Sequence, residues 1–211
     1  MLASLALSLL QPKIVERPPV VLAVLRDGKR IGQTRIVQRL LRDGSKTVTV
    51  DMTLEQGTGK VRVRQESAYD GDGMPLRKLQ ETLDTNGKRL VALVATFDER
   101  GASLTKTGSG APETQLIELV SGAPRAATNE FWFLRDQPKK GAKATYYSFA
   151  PSEGRWRLVE FRYDGLEFVN LIGRRREVHV VKTPEGNAYF DLSGDAVVVE
   201  LNGLKLVRIE D

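Results

Sequence analysis

Apolar and polar residues alternate with a period of two along much of the chain. Val48, Val50 and Met52, for instance, alternate with Thr49 and Asp51. Because successive side chains of a β-strand point to opposite faces of a sheet, this pattern predicts strands with one buried and one wet face. The same alternation recurs in residues 61–64, 177–180 and 189–192. The sequence therefore predicts repeated, half-buried strands.

Turn-forming residue pairs separate these runs at short intervals. Asp-Gly and Asn-Gly pairs suit hairpin turns because both residues tolerate a positive φ. Turn signals stand at Asp27-Gly28, Asp43-Gly44, residues 56–59, residues 70–73, Asn86-Gly87 and Arg100-Gly101. Strands joined by such short turns are typical of an antiparallel meander, since parallel strands need long crossover connections.

The second half of the chain repeats these strand and turn signals after a segment of loops and one predicted helix. Residues 108–112 and 122–127 are interpreted as loops, and Thr128 or Asn129 can cap a helix that ends before Pro138. Strands are then predicted over residues 144–149, 155–163, 167–171, 176–182, 188–192, 197–201 and 205–209. The pattern thus predicts one short helix in an otherwise β-stranded chain.

So many strands are not expected to form a flat, open sheet, because strand twist accumulates and long free edges promote aggregation. We predict an all-β, mainly antiparallel fold, in which a curled meander sheet forms a half-barrel or a barrel with one short aromatic helix. A chain of 211 residues can bury one large core. We therefore expect a single β-rich domain over residues 12–211, with sub-halves at about residues 20–121 and 128–211.

The chain begins with an apolar run, MLASLALSLLQ. It is too short to cross a bilayer but about as long as the apolar part of a signal peptide. We interpret residues 1–11 as the remnant of an export signal, although Lys and Arg are missing from the run; the alternative is a short helix packed on the body. The sequence thus predicts an exported protein of the periplasm or cell envelope.

Basic residues outnumber acidic ones, 32 against 27, which gives a net charge of +5. This balance favours association with anionic surfaces. Arg174, Arg175 and Arg176 are candidate contacts for anionic headgroups, with a solvated turn as the alternative. Strand-type nucleic-acid binders display exposed aromatic side chains beside their charges, whereas the aromatic residues here fall mainly in apolar phases. We therefore do not expect nucleic-acid binding, whereas peripheral membrane contact is compatible with the basic run.

Residue types that carry catalysis are sparse. The chain has no cysteine and one histidine, His179, whose polar phase predicts that it faces solvent or a neighbouring strand. No serine stands in a G-x-S-x-G elbow that could supply a nucleophile. Carboxylates such as Asp70 and Asp98 stand at turns, where aspartate is expected to hydrogen-bond its own backbone. We therefore predict no catalytic residue, no metal site and no cofactor.

Aromatic residues concentrate in the predicted helix and in the strands that follow it. These residues are Phe131, Trp132, Phe133, Phe149, Phe161, Tyr163 and Phe168. A curled sheet closed by an apolar helix can enclose a hydrophobic ligand, so we take the seven as candidate lining of a ligand cavity. The alternative is that the helix is a plug and these side chains form the core.

A motif in the same region carries a resemblance. The stretch NEFWFLR from Asn129 to Arg135, followed by Pro138, Gly141 and the strand from Ala144, resembles an uncharacterised family of bacterial envelope proteins with β-rich half-barrels. That family is distantly similar to the periplasmic lipoprotein carrier and receptor, whose curved sheet closes on helices around acyl chains. The resemblance implies an exported half-barrel with affinity for lipid.

Two functional hypotheses follow. The first is a non-catalytic cell-envelope protein that binds an apolar ligand, a lipid or an acyl chain, on its curved sheet. The alternative is a ligand-free structural module that binds another envelope protein. An interior without a cavity would favour the second.

Overall fold

The computed structural model describes residues 15–57, 59–119 and 132–209, and these residues form fifteen strands and one helix. The strands before the helix are β1 (Val15–Glu16), β2 (Val20–Arg26), β3 (Lys29–Leu40), β4 (Lys46–Gln56), β5 (Gly59–Tyr69), β6 (Pro75–Leu83), β7 (Arg89–Phe97), β8 (Gly101–Thr107) and β9 (Glu113–Glu118). Helix α1 (Trp132–Arg135) precedes β10 (Lys143–Ala150), β11 (Arg155–Leu171), β12 (Arg174–Thr183), β13 (Gly186–Phe190), β14 (Ala196–Leu201) and β15 (Leu204–Arg208). The predicted all-β class is confirmed.

All fifteen strands belong to one sheet, and every pairing is antiparallel. The hydrogen-bonded order is β10-β11-β12-β13-β14-β15-β2-β3-β4-β5-β6-β7-β8-β9, with β1 beside β3. Neighbours in the sheet are therefore neighbours in sequence, except where β15 pairs with β2 and β1 pairs with β3. The ladder of β15 and β2 joins the C-terminal meander to the N-terminal one.

A five-residue turn recurs at residues 70–74, 84–88 and 191–195. In each, the side-chain Oδ1 of the first aspartate accepts hydrogen bonds from the N–H groups of the third and fifth residues. The glycine at the fourth position has a φ between 79° and 87°. Aspartate at the first position and glycine at the fourth thus specify the turn locally, which confirms the predicted structural role of Asp70.

Paired residues project to the same side of a sheet, so one face can be followed through the whole strand order. We call the inner face the one that carries Leu22, Thr34 and Tyr146, whose side chains are 0–2% exposed. Helix α1 packs on this same face. The curled sheet therefore surrounds its inner face, as the prediction of a curled meander required.

The two ends of the sheet overlap. Phe149 of β10 and Trp156 of β11 lie on the outer face, yet they pack against Phe97 and Leu104 on the inner face of β7 and β8. The Trp156 Nε1–H donates a hydrogen bond of 3.1 Å to the carbonyl oxygen of Ile117. Within the described residues no backbone ladder joins β9 to β10. One end of the sheet is thus rolled inside the other, and side chains close the roll.

A second apolar core lies on the outer face. The hairpin of β11 and β12 folds back there, and its residues Leu171, Val178 and Val180 are 0–3% exposed. They pack with Val197 and with half-buried residues of β13, β14 and β15. The hairpin therefore has one face anchored on the outside of the roll.

Three local predictions need correction. Residues 155–163 and 167–171 form one strand, β11, because a bulge at Asp164 shifts the register without ending it. In β4 both faces are half-buried, not one buried and one wet, because the inner face is incompletely covered there. Leu192 belongs to the 191–195 turn instead of a strand and is 58% exposed.

The predicted helix is observed as the single turn of α1. Its predicted caps, Thr128 and Asn129, lie outside the described residues, as do residues 1–11 and 122–127. In the part of the chain that the structure describes, no helix is long and apolar enough to span a membrane.

Candidate functional site

Helix α1 presses two aromatic side chains onto the inner face. Trp132 is 4% exposed and meets Tyr163 edge-on at 6.4 Å between ring centroids. Phe133 is 1% exposed, with its ring 5.0 Å from that of Phe190. Phe161 packs against the same cluster. Four of the seven aromatic candidates therefore come together, and they form a packed core that closes this part of the roll.

The other aromatic candidates lie elsewhere. Phe149 is buried in the overlap of the two sheet ends, on the opposite side of β10 from the α1 cluster. Phe168 is 57% exposed on the β11–β12 hairpin. Phe131 falls outside the described residues. The seven residues therefore do not line one common cavity. Successive side chains of a strand point to opposite faces of the sheet, so aromatic residues of one strand can be buried in different cores.

The single histidine belongs to the α1 cluster. The polar phase of β12 predicted solvent or a neighbouring strand, and the His179 ring lies on the inner face against Tyr163 of neighbouring β11. The Tyr163 hydroxyl and His179 Nδ1 share a hydrogen bond of 2.9 Å, and the Phe133 ring lies 5.6 Å away. Burial lowers the pKa of His179, although the carboxylates of Glu177 and Asp191 act in the opposite direction. The imidazole is thus a half-buried member of the cluster, and burial favours its neutral form.

We expect this histidine to make the fold sensitive to mild acid. The folded-state pKa of His179 lies below the ordinary value of 6.5. Between these two pH values the unfolded chain therefore binds a proton on His179 that the folded chain does not bind. Stability should fall as the pH drops below about 6.5, until the pH reaches the folded-state pKa. Urea unfolding of the protein and of a His179→Phe variant across this pH range measures the effect. Parallel pH profiles would contradict it.

A pair of carboxylates that the sequence did not single out lies at one end of the roll. Arg208 donates a 2.9 Å hydrogen bond to Asp191, and Gln38 donates one of 2.8 Å to Asp195. Arg17 forms a further ion pair with Asp195 at 3.4 Å. We call these five side chains the polar latch, because they tie Arg17 and β3 to the 191–195 turn, and that turn to β15.

The two carboxylates of the latch have opposite pKa shifts. Burial would raise the pKa of Asp191, but hydrogen bonds from Ser193, Asp195 and Arg208 outweigh it and lower the pKa. Burial and the neighbouring Asp191 raise the pKa of Asp195. Divergent carboxylates occur in acid–base sites. Here cations, amides and hydroxyls of the protein engage both groups, so the arrangement serves as a structural connection.

Side chains on the inner face are less buried in the strands further along the roll than in β2. Val20, Leu22 and Val24 of β2 are 0–3% exposed. Seven apolar side chains on the same face of β4, β5 and β7 are only half-buried: Val50, Met52, Leu54, Val61, Val63, Val91 and Leu93. We call these seven residues the inner trough. It is a concave surface that the described residues leave partly open, and it is apolar except where β6 places Gln80 and Thr82 between β5 and β7.

A cavity adjoins the trough. Its volume is about 660 Å³, with Val91, Leu93 and Leu104 on one side and residues 151–154 on the other. The same cavity is bordered by Lys106, Glu113 and Glu153. A second cavity of about 330 Å³ lies between residues 150–152 and the inner face of β5 and β6. Volumes of about 300–1,000 Å³ are typical of small-molecule sites.

The predicted headgroup contacts lie far along the β11–β12 hairpin, beside the turn that joins its strands. Arg174 and Arg175 are exposed, and Arg176 is half-buried. The Arg175 guanidinium lies 4.1 Å from the centroid of the Phe168 ring. The structure therefore unites Phe168 with the basic run, although the sequence assigned them to two different sites.

Comparisons with known proteins identify the fold. The chain matches no family model, and no curated protein matches it. A crystal structure of a β-barrel-like protein of domain of unknown function DUF1849, from Brucella abortus, is similar with a TM-score of 0.60 and 9% sequence identity. The similarity covers 91% of this chain and 95% of that one. The protein thus shares a β-barrel-like fold with that bacterial protein.

Proposed function

We propose that the protein is a non-catalytic component of the bacterial cell envelope that binds an apolar ligand, a lipid or an acyl chain, in the inner trough. The observation that carries the proposal is the half-open apolar surface of the trough on the concave side of the sheet. Exposed apolar surface is unfavourable by about 25 cal/mol per Å². An apolar guest that covered the trough would recover this free energy.

The geometry suits a ligand with one polar end. An acyl chain can lie across the trough, from Met52 and Val63 past Thr82 of β6 toward Leu93, and reach the adjoining cavity of about 660 Å³. Lys106 and Glu113 at that cavity offer partners of either charge to a polar headgroup. The α1 cluster closes the roll elsewhere on the inner face. In this proposal the aromatic cluster shapes the interior, and the trough holds the guest.

The envelope assignment and the class of ligand rest on the resemblance of residues 129–141 to β-rich envelope proteins. Proteins of the lipoprotein carrier type hold acyl chains on the concave side of a curved sheet, and the trough offers a surface of that kind. Cell fractionation of the host would test the compartment independently of the ligand.

A charge placed in the trough is expected to abolish ligand binding. In a Leu93→Lys variant, an ammonium group would lie where the acyl chain packs, and the alkyl chain would displace its hydration without offering a hydrogen-bond acceptor. We expect at least about a tenfold loss of bound lipid, since a buried polar group without a partner costs more than 1.4 kcal/mol. Native mass spectrometry with lipid extraction, on protein purified from the host envelope, gives the readout.

The control places the same lysine on the other side of the same strand. Thr96 is exposed on the outer face of β7, so Thr96→Lys should leave the bound lipid unchanged. Circular dichroism would verify that both variants fold. An empty mass for the natural protein, repeated after incubation with host lipids, would overturn the proposal.

One observation favours the alternative of a protein-interaction module. Strand β9 (Glu113–Glu118) pairs with β8 on one side and, among the described residues, with no strand on the other. An open strand edge can accept a strand from a partner through backbone hydrogen bonds. Capture of an envelope protein that is lost on Gln115→Pro, with no lipid bound to the natural protein, would support this alternative.

A further inference from the structure

The far end of the β11–β12 hairpin exposes large apolar side chains. Leu166 is 49% exposed, Phe168 is 57% exposed and Ile172 is 53% exposed. Leu166 and Phe168 lie on the same face of β11, and Ile172 stands in the two-residue turn that follows the strand. Grouped exposed apolar side chains on a protein surface mark contact sites more often than single ones do.

The opposite face of the hairpin is anchored. Leu171, Val169 and Val178 pack into the outer core, and Leu171 and Val178 are 3% and 0% exposed. The exposed residues are thus presented by a ladder that has its own packed support. Presentation on a rigid element lowers the entropy lost on binding.

The turn at Ile172-Gly173 shows that the apolar residue is retained against local backbone preference. Ile172 has a φ of 48°, in the left-handed region, which is a genuine outlier for a β-branched residue. The protein uses the same two-residue turn at Asp27-Gly28 and Asn202-Gly203, where φ is 51° and 48° at the first position. Asp and Asn adopt that conformation at low cost, whereas isoleucine adopts it only under strain. Strain of this kind points to a function for the side chain.

Arginines outnumber carboxylates at the turn end of the hairpin. Residues 168–176 contain Arg174, Arg175 and Arg176 and no carboxylate. Glu177 is the cross-strand partner of Phe168 and Glu167 precedes Phe168, so the excess of positive charge lies between that rung and the turn. Exposed apolar side chains among arginines match the surface of a bilayer with anionic headgroups, in which the apolar groups enter the interface and the cations contact phosphates.

We propose that the β11–β12 hairpin docks the protein onto anionic phospholipid bilayers, with Phe168 and Ile172 in the interface and Arg174 and Arg175 on the phosphates. The inference goes beyond the proposed function, since it concerns the outside of the roll. A protein with an empty trough would still dock, and a protein with a detached hairpin would still hold its ligand.

Flotation of the full chain with two kinds of vesicle tests the proposal. One kind consists of phosphatidylcholine alone, and the other of equal parts of phosphatidylcholine and phosphatidylglycerol. We expect binding to the mixed vesicles that weakens with added salt, because salt screens exposed charges. A Phe168→Ser/Ile172→Asn variant should lose at least about tenfold in partition coefficient. Arg174→Gln/Arg175→Gln should lose about fivefold per arginine.

Two control variants test whether removing any exposed apolar side chain, or any two positive charges, would weaken vesicle binding in the same way. Leu192→Ser removes an apolar side chain that is 58% exposed at another turn. Arg35→Gln/Arg42→Gln removes the same charge from exposed positions of the first half. Both controls should bind mixed vesicles like the natural protein.

A stability measurement distinguishes a loss of vesicle binding from a loss of folding. Ile172→Asn alone should raise the melting temperature by about 2–4 °C, because asparagine suits the left-handed conformation, while vesicle binding falls. The proposal would be overturned if the natural protein did not bind the mixed vesicles. Hairpin variants that bind as well as the controls would overturn it equally.

Discussion

Replacing Phe133 with alanine is expected to lower the free energy of unfolding by about 3–5 kcal/mol. The side chain is 1% exposed, and its ring packs against Phe190 and His179 on the inner face. Removing it would leave a void that the surrounding rings, held by the strands of a closed roll, can fill only in part. Urea unfolding at neutral pH, followed by tryptophan fluorescence, measures the loss.

The control for this prediction is the same substitution at the exposed phenylalanine. Phe168 is 57% exposed and its ring centroid lies 4.1 Å from the Arg175 guanidinium, so Phe168→Ala should cost less than about 1 kcal/mol. Equal losses for the two variants would show that α1 is not part of the cooperative core. A large loss at Phe133 alone would establish that the helix closes the roll.

Replacing Asp191 with alanine is expected to have the second largest effect, a loss of about 3 kcal/mol. The side chain holds the 191–195 turn through Oδ1, and Oδ2 accepts from Arg208, whose side chain is 12% exposed. The substitution removes the turn bonds and also leaves the largely buried guanidinium with its nearest anion missing. Denaturant unfolding at neutral pH reports the sum of both losses.

The repeated turn supplies a control that separates the two losses. Asp84 accepts the same backbone hydrogen bonds, from Asn86 and Lys88, in the turn at residues 84–88, but no arginine pairs with it among the described contacts. Asp84→Ala should therefore cost only about 1 kcal/mol. Combining Asp191→Ala with Arg208→Met should recover part of the loss. Equal costs at Asp84 and Asp191 would refute the role of the ion pair.

The local pattern predicted the strands well because their information is short-range. Alternation at Val178 and Val180, or an Asp-Gly pair at a turn, reflects a conformation that the preferences of adjacent residues determine. The prediction failed where a strand continued through a turn-like pair, at Asp164-Gly165, because pairing with β12 on both sides kept β11 intact. It also missed the 191–195 turn, although its Asp-x-x-Gly pattern matches the turns at residues 70–74 and 84–88.

The candidate site was harder to predict than the fold. Aromatic composition correctly indicated a cluster around Trp132 and Phe133, but Phe168 has the same chemistry and lies exposed beside Arg175. The trough residues Met52 and Leu93 gave no distinct signal, because half-buried and fully buried apolar positions look alike in a period of two. Their difference depends on what the rest of the chain places over them.

The sequence by itself determined the β-class, the antiparallel meander and most of its turns, since these follow from residue alternation and from backbone preferences at Gly, Asp and Asn. Only the tertiary structure decided how the sheet rolls. The pairing of β15 with β2, the overlap of Phe149 and Trp156 with β7 and β8, and the return of the β11–β12 hairpin onto the outer face all join residues distant in sequence. Such contacts arise from burial of matching surfaces, which no local pattern encodes.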